Sequence, residues 1–522
     1  MRTWQVIGVV AVAAVVLMPL ASQVNAQTVL SEIKHDTSPA LSSVPPPPPK
    51  AEAAFRKEHR VKRLPPLPTK EAALADTALQ TKATIKLPIG PIEAIESIGE
   101  GLPGFQVNSF PADTTGAAGT TQYAQWVNTS LAVFDKATKQ IVLGPVDGSV
   151  LWRGFGGNCE NFNDGDPIAL FDHMANRWIF SQFAVSGTPF SQCIAVSTTA
   201  DATGPFHRYE FQYQDFNDYG KFGIWPDAYY ATYNMFASNN AFLGAKACGF
   251  ERAKMLNGDP ARMVCFDVSS QGGLLPADLD GNTAPPAGAP NYVMNIGSDR
   301  LNLWKFKVDW NNPSASALTG PTQIKTAPFD EACKNAPSRG ACIVQPKTTV
   351  VLDSLADRLM YRLAYRNFGT HESLVVNHTV AVASRAGVRW YEVRDPGGTP
   401  KLQQQGTYAP TTTASRWMGS IAMDKLGNIA VGYSVSGASV FPSIRLAGRS
   451  AGDPLNKLSA EQSVSAATGK GAQKTSDRWG DYSTLTLDPT DDCSFWYTAQ
   501  YQKDGVNQWH TKIVRFKFNS CQ

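Results

Sequence analysis

From about Leu87 onward, apolar and polar residues alternate in short runs rich in β-branched and aromatic side chains, interrupted by Gly, Asp, Asn and Pro. Neighbouring side chains on a strand point to opposite faces, so this texture predicts half-buried strands joined by turns, with little amphipathic helix. Seven segments repeat the order strand, turn, strand, among them "DGDPIALFDHMANRWIFSQFAV", "WPDAYYATYNMFASNNAFLGAKACGF" and "ADRLMYRLAYRNFGTHESLVVNHTV". The last two echo each other about sixty residues apart, as "RWMGSIAMDKLGNIAVGYS" and "RWGDYSTLTLDPTDDCSFWYTAQY". Segment starts recur at roughly 45 to 65 residues, a spacing that accommodates a four-stranded sheet with loop insertions.

One such sheet leaves its apolar faces bare, whereas a ring of sheets packed face to face covers them. The pattern therefore predicts an all-β chain with a single β-propeller over residues 87–522. Seven segments favour seven blades; six or eight stay open because the first and fourth segments match weakly. A pair of β-sandwiches is the competing architecture, against which the Arg-Trp echo and the regular spacing both speak.

The amino-terminal stretch reads differently. Arg2 precedes an apolar run from Val6 to Leu20, followed by the small residues Val24 and Ala26. This is the pattern of a secretory signal peptide over residues 1–26, and the run falls short of the roughly 20 residues of a spanning helix. No later run is apolar enough to span, so the expectation is an exported protein, secreted or periplasmic, without a membrane span. Residues 27–86 contain "PPPPPK" and a basic stretch, which predict a Pro-rich linker or stalk.

Eight cysteines all lie beyond the signal, an even number that favours disulfides in an exported chain. Sequential pairing, Cys159–Cys193, Cys248–Cys265, Cys333–Cys342 and Cys493–Cys521, would tie neighbouring strands or close local loops, although sequence alone does not fix connectivity. No CxxC or tight Cys/His cluster suggests zinc. A formal net charge of +3 on 522 residues gives no support to a nucleic-acid partner.

Propeller loops converge on the central channel, so the repeat also nominates a site. Arg416-Trp417 and Arg478-Trp479 are expected where innermost strands begin, with counterparts at Asp164 and Asp166, Trp225 and Asp227, and Asp357 and Arg358. Arginine forks bind carboxylates, aromatic faces stack on sugars, and carboxylates supply acid or base chemistry. Arg362, Arg366, Arg416 and Arg478 thus become candidates to hold an anionic group, with Trp225, Trp417 and Trp479 as stacking surfaces. The two later tryptophans equally suit packing between blades. Asp166, Asp227 and Asp481 are acid/base candidates, with Tyr365, His371 and Tyr482 as alternatives. Strand alternation places Tyr361, Leu363 and Tyr365 opposite Arg362, Ala364 and Arg366. A Tyr or His base beside such arginines would suit a lyase acting on a uronate.

"DLDGN" at 278–282 and "NFNDGD" at 161–166 resemble fragments of calcium loops, so structural Ca²⁺ is a candidate there, and no cofactor is required. GxSxG, P-loop, HExxH and dinucleotide motifs are all absent from the sequence.

As a set, "DGDP", "WPDAYY", "LMYRLAYRNF", "RWMGSIAMD" and "RWGDYS" resemble those of largely uncharacterised secreted bacterial β-propeller proteins, over roughly Pro111 to the carboxyl terminus. The implied architecture is also similar to that of sialidases, whose Asp-box pattern is missing here, so their catalytic residues do not transfer. Together these readings point to a secreted propeller that binds an extracellular polysaccharide or glycoconjugate at the channel mouth, with glycosidase- or lyase-type cleavage as an extension. The alternative is a non-catalytic module that interacts with a cell surface or matrix polymer.

Overall fold

The structure is a computed structural model that describes residues 24–45, 62–67, 75–337, 340–504 and 508–522. Six antiparallel meanders of four strands follow one another, a seventh sheet adds three carboxyl-terminal strands completed by one from earlier in the chain, and each begins with an innermost strand. These are Thr114–Ala118, Ile168–Asp172, Phe216–Ile224, Leu275–Asp280, Leu359–Asn367, Ser415–Met423 and Thr484–Leu487, which define blades 1 to 7. Each innermost strand touches the next and the seventh touches the first, so the sheets surround a central channel. The chain is an all-β propeller.

Its apolar core lies in the layers between blades. Trp126 of blade 1 meets Phe180 of blade 2 edge-on at 5.9 Å, and Tyr123 of blade 1 stacks on Trp496 of blade 7 at 5.2 Å. Alternation along each strand gives every blade two such faces, and a ring is the arrangement that covers both. The wedge between blades 1 and 2 centres on Trp178, fully buried against Phe171.

Blades 4 and 5 depart from the simple pattern. The innermost strand of blade 4 leaves its own sheet after Pro276 and runs parallel to that of blade 5, from Ala277 beside Leu363 to Asp280 beside Arg366. Asn291 replaces the lost ladder on the other side: its amide donates to the Ala277 carbonyl at 2.8 Å and accepts from the Ala277 N–H at 3.2 Å. Gly223 of blade 3 permits this approach, because a Cβ there would sit 2.4 Å from the Ala277 oxygen.

The ring closes by mixing the two ends of the chain. Glu93–Glu96 supplies the outermost strand of blade 7, pairing with His510–Phe516, while the three inner strands come from the carboxyl-terminal region. Further upstream, Val24–Ser31 adds a fifth strand to blade 3, Lys34–Thr37 one to blade 2, and Leu79–Gln80 a parallel one to blade 5. The described parts of residues 27–86 are therefore not a separate linker, which corrects the sequence reading: Pro and charge dominate its composition, yet its short β-prone pieces cover blade edges that would otherwise expose unpaired backbone. The signal-peptide expectation falls mainly on residues 1–23, outside the described residues, and the expected cut after Ala26 lies within the Val24–Ser31 strand.

All four disulfides join the expected partners. Cys493, in the first hairpin of blade 7, holds Cys521 and so pins the chain end to the closing blade. Replacing both with Ser removes the closure of this loop from the unfolded chain as well as the native pin. Denaturant unfolding is expected to reveal a loss of about 3–4 kcal/mol; unchanged stability would show that the strand contributed by Glu93–Glu96 suffices.

Candidate functional site

The Arg-Trp echo encodes a kink. Met418 and Asp481, which follow Trp417 and Trp479, both take left-handed backbone conformations, as do Asp113, Asp166 and Tyr219 at the starts of blades 1, 2 and 3. In blade 6 the kink shifts the strand register between Trp417 and Ser420. The serines that follow bridge blades 6 and 7: Ser483 donates to the Met418 carbonyl at 3.0 Å, and the Ser420 hydroxyl accepts from the Leu485 N–H at 3.0 Å. Residues that open the inner strands gather at one mouth of the channel, here called upstream, and residues that close them gather at the downstream mouth.

At the upstream mouth the central group is Lys221, fully buried. Its ammonium donates to the Gly220 carbonyl at 3.0 Å and lies 3.7 Å from the ring centre of Tyr219 and 3.9 Å from that of Tyr482. Burial lowers its pKa to about 8, against the opposing charges of Asp166, Asp113, Asp218 and Asp481. Burial, then the charge of Asp166, raises Asp218 to about 7. Burial also raises Asp481, although Arg478 beside it acts the other way. A cation held between two aromatic faces and ringed by carboxylates from blades 1, 2, 3 and 7 locks this end of the channel.

The downstream mouth opens into a pocket lined from six blades. Arg362 of blade 5 crosses it, donating to Asp278 at 2.6 Å, to Asp280 at 2.5 Å and to the Leu485 carbonyl of blade 7 at 2.7 Å. Arg366 forks onto Asp492 at 2.8 and 2.5 Å, and Lys136 reaches Asp488 at 2.8 Å. Four carboxylates thus meet three cations, and no guanidinium here is left for an anionic ligand. Three residues that line the pocket carry buried polar atoms without a hydrogen-bond partner: Asp280 Oδ2, Thr486 Oγ1 and His173 Nε2.

Of the expected site residues, Asp166, Asp481, Tyr482 and Arg478 come together upstream, and Arg362 and Arg366 line the channel farther down. The others do not join them. Trp225 and Asp227 follow the innermost strand of blade 3 instead of opening it. The aromatic "WPDAYY" run marks the second strand, and Asp227, raised to about 6 by burial, accepts from Tyr230. Trp225 packs edge-on against Tyr365 at 4.6 Å, and the Tyr365 hydroxyl donates to Glu372 at 2.6 Å, which leaves Tyr365 unsuited to act as a base. His371 sits in the turn, stacked on Phe368.

Arg416 is spent on Glu461, with two bonds of 2.7 Å, and so cannot bind substrate. Trp417 and Trp479 are fully buried against each other and offer no face to a sugar. Asp278 and Asp280, considered for calcium, hold Arg362, and Asp164 accepts from Val185 and Ser186. Among the described residues, no group of three His, Cys, Asp or Glu is placed to hold a metal ion.

Sequence reasoning missed Lys221, Asp113, Asp218 and Tyr219 upstream, and His173, Thr486, Asp488 and Asp492 downstream. A signal for the second set was present, because the turns that end inner strands read "FDHMANR", "DLDGN" and "DPTDDC".

No protein-family model matches the sequence, and no curated protein matches it. Solved structures with a similar chain path include a hypothetical selenium-binding protein from Sulfolobus tokodaii, at 8% identity and TM-score 0.40, covering 75% of this chain and 96% of that one. The Dos1 propeller aligns at 6% identity and TM-score 0.36, over 76% of this chain and 75% of its own. A family 117 glycoside hydrolase from Zobellia galactanivorans aligns at 11% identity and TM-score 0.24, over 83% and 91%. Likeness at this level carries nothing about what the chain binds.

The upstream cluster makes stability depend on pH. Because Asp218 rises from an ordinary 3.8 to about 7 on folding, the folded chain holds this proton more tightly than the unfolded one. Its contribution is lost as pH climbs from about 4 to about 7. Asp218→Asn is expected to flatten that decline, gaining on the order of a few kcal/mol over the parent at pH 8 relative to pH 4. Parallel pH dependences in denaturant unfolding would contradict this assignment.

Proposed function

We propose that the chain is an exported propeller that binds a neutral, hydroxyl-rich ligand, a polysaccharide or glycoconjugate, at its downstream mouth without cleaving it. The observation that carries this reading is the convergence of Asp280, Thr486 and His173, from blades 4, 7 and 2, on one pocket whose arginine, Arg362, is already paired with carboxylates. Sugar hydroxyls donate and accept at once, which suits a carboxylate, a hydroxyl and an imidazole together.

Pairing of the arginines favours binding over catalysis and a neutral ligand over an acidic one. An anionic sugar would have to displace Asp280 from Arg362 or Asp492 from Arg366, leaving a buried carboxylate unpaired. Export is supported by the four disulfides and by the charge and apolar pattern at the amino terminus.

A screen of neutral and acidic oligosaccharides by calorimetry, with product analysis, tests the reading. Neutral sugars are expected to bind without new reducing ends or unsaturated products, and Asp280→Ala to weaken binding at least about tenfold, the equivalent of one lost hydrogen bond to a charged group. Binding confined to acidic polymers, or an undiminished Asp280→Ala variant, would contradict it.

A further inference from the structure

Residues 62–67, Lys-Arg-Leu-Pro-Pro-Leu, meet the ring at the upstream mouth, far along the chain from the blades that hold them. Three consecutive residues are each recognised at least twice. The Lys62 N–H donates to Asp218 at 3.1 Å, and the Lys62 carbonyl accepts from Arg358 at 3.0 Å. Its side chain runs over the rings of Phe216 and Phe236, at 4.6 and 4.7 Å, to reach the Asn240 side-chain oxygen at 2.7 Å. Arg63 pairs with Asp353 and lies 3.9 Å from Asp357. The Leu64 N–H donates to Asp357 at 3.1 Å, and the Leu64 side chain is 4% exposed.

The seat is shaped for this segment. A Cβ on Gly272 would stand 2.7 Å from Leu64, and one on Gly340 would collide with the Arg63 guanidinium. Asp218, Asp357 and Arg358 are themselves buried, so the backbone of residues 62–64 is read by charged groups in fixed positions. Without the segment, Asp353 and Asp357 face one arginine of the seat, Arg358; Arg63 brings a second guanidinium to them. Backbone amides read by the receptor, a guanidinium in an acidic subsite, an ammonium over aromatic rings and an apolar side chain in a pocket together make a peptide-recognition mode.

We propose that the upstream mouth is a binding site for a Lys-Arg-Leu peptide segment, and that residues 62–64 of this chain are its resident occupant. While seated, they close this end of the channel over the Lys221 cluster. A peptide of the same pattern from another chain would compete for the seat, with the local concentration of the tethered segment opposing it. The inference concerns the opposite mouth from the glycan pocket and does not rest on it.

The test uses the full chain and a fluorescein-labelled peptide, Lys-Arg-Leu-Pro-Pro-Leu, followed by fluorescence anisotropy. Arg63→Ala combined with Leu64→Ser empties the seat and is expected to bind the peptide at least about tenfold more tightly than the parent chain, one tenfold step being the least that a lost intramolecular competitor should yield. Adding Asp357→Asn should abolish the gain. Equal binding by parent and variant, or no binding by a variant whose unfolding curve matches the parent's, overturns the proposal.

Should the double variant not fold, Asp353→Asn replaces it, with trypsin cleavage after Arg63 as the readout. Cleavage accelerated about tenfold supports a seated, releasable segment, and an unchanged rate overturns it.

Discussion

Neighbouring innermost strands share a backbone ladder between blades 4 and 5, and at the other interfaces something else must hold the centre of the ring together. Here it is a belt of polar ties, one at each blade interface. The Thr115 hydroxyl accepts from the Ala169 N–H between blades 1 and 2, and Tyr229 donates to Asp172 between 2 and 3. Asp278 accepts from the Ile224 N–H between 3 and 4, and the parallel ladder joins 4 to 5. Arg366 donates to the Met423 carbonyl between 5 and 6, the two serines join 6 to 7, and Thr484 donates to the Thr114 carbonyl between 7 and 1. Packing between blades supplies most of the burial, but this belt fixes the register in which they meet. It also decides which polar groups remain available at the two mouths.

Charge in the channel follows from that role. Arg362 spans from blade 4 to blade 7, and Arg366 and Arg478 each meet a carboxylate. Buried pairs of this kind give little net stability against an apolar core, yet breaking one is expensive, so they act as latches. The mouths therefore differ in kind. Upstream, the cluster around Lys221 is closed over by residues 62–64; downstream, the carboxylates leave one pocket whose polar atoms are incompletely satisfied.

Much of the architecture was legible in the sequence because hairpins repeat their turn chemistry. The Arg-Trp echo correctly marked equivalent positions in two blades, and the spacing of cysteines matched the bonds. Composition hid the rest. Val24–Ser31 and Glu93–Glu96 are short strands next to Pro-rich and charged sequence, and their role as edge strands depends on blades hundreds of residues away. Lys221 sits in "NDYGKFGIWPD", where the aromatic run drew attention to Trp225 and Asp227, one turn past the kink that defines the channel. The sequence reading expected arginine and carboxylate residues near the channel; that such residues satisfy one another is a property of three-dimensional convergence, which spacing along a chain does not contain.

The most direct test of arginines as latches is Arg362→Met, which keeps length and removes charge. With Asp278 and Asp280 left unpaired, denaturant unfolding is expected to show a loss of about 3–5 kcal/mol. Stability equal to the parent's, accompanied by loss of ligand binding, would make Arg362 a ligand-holding residue and contradict the structural role assigned to it.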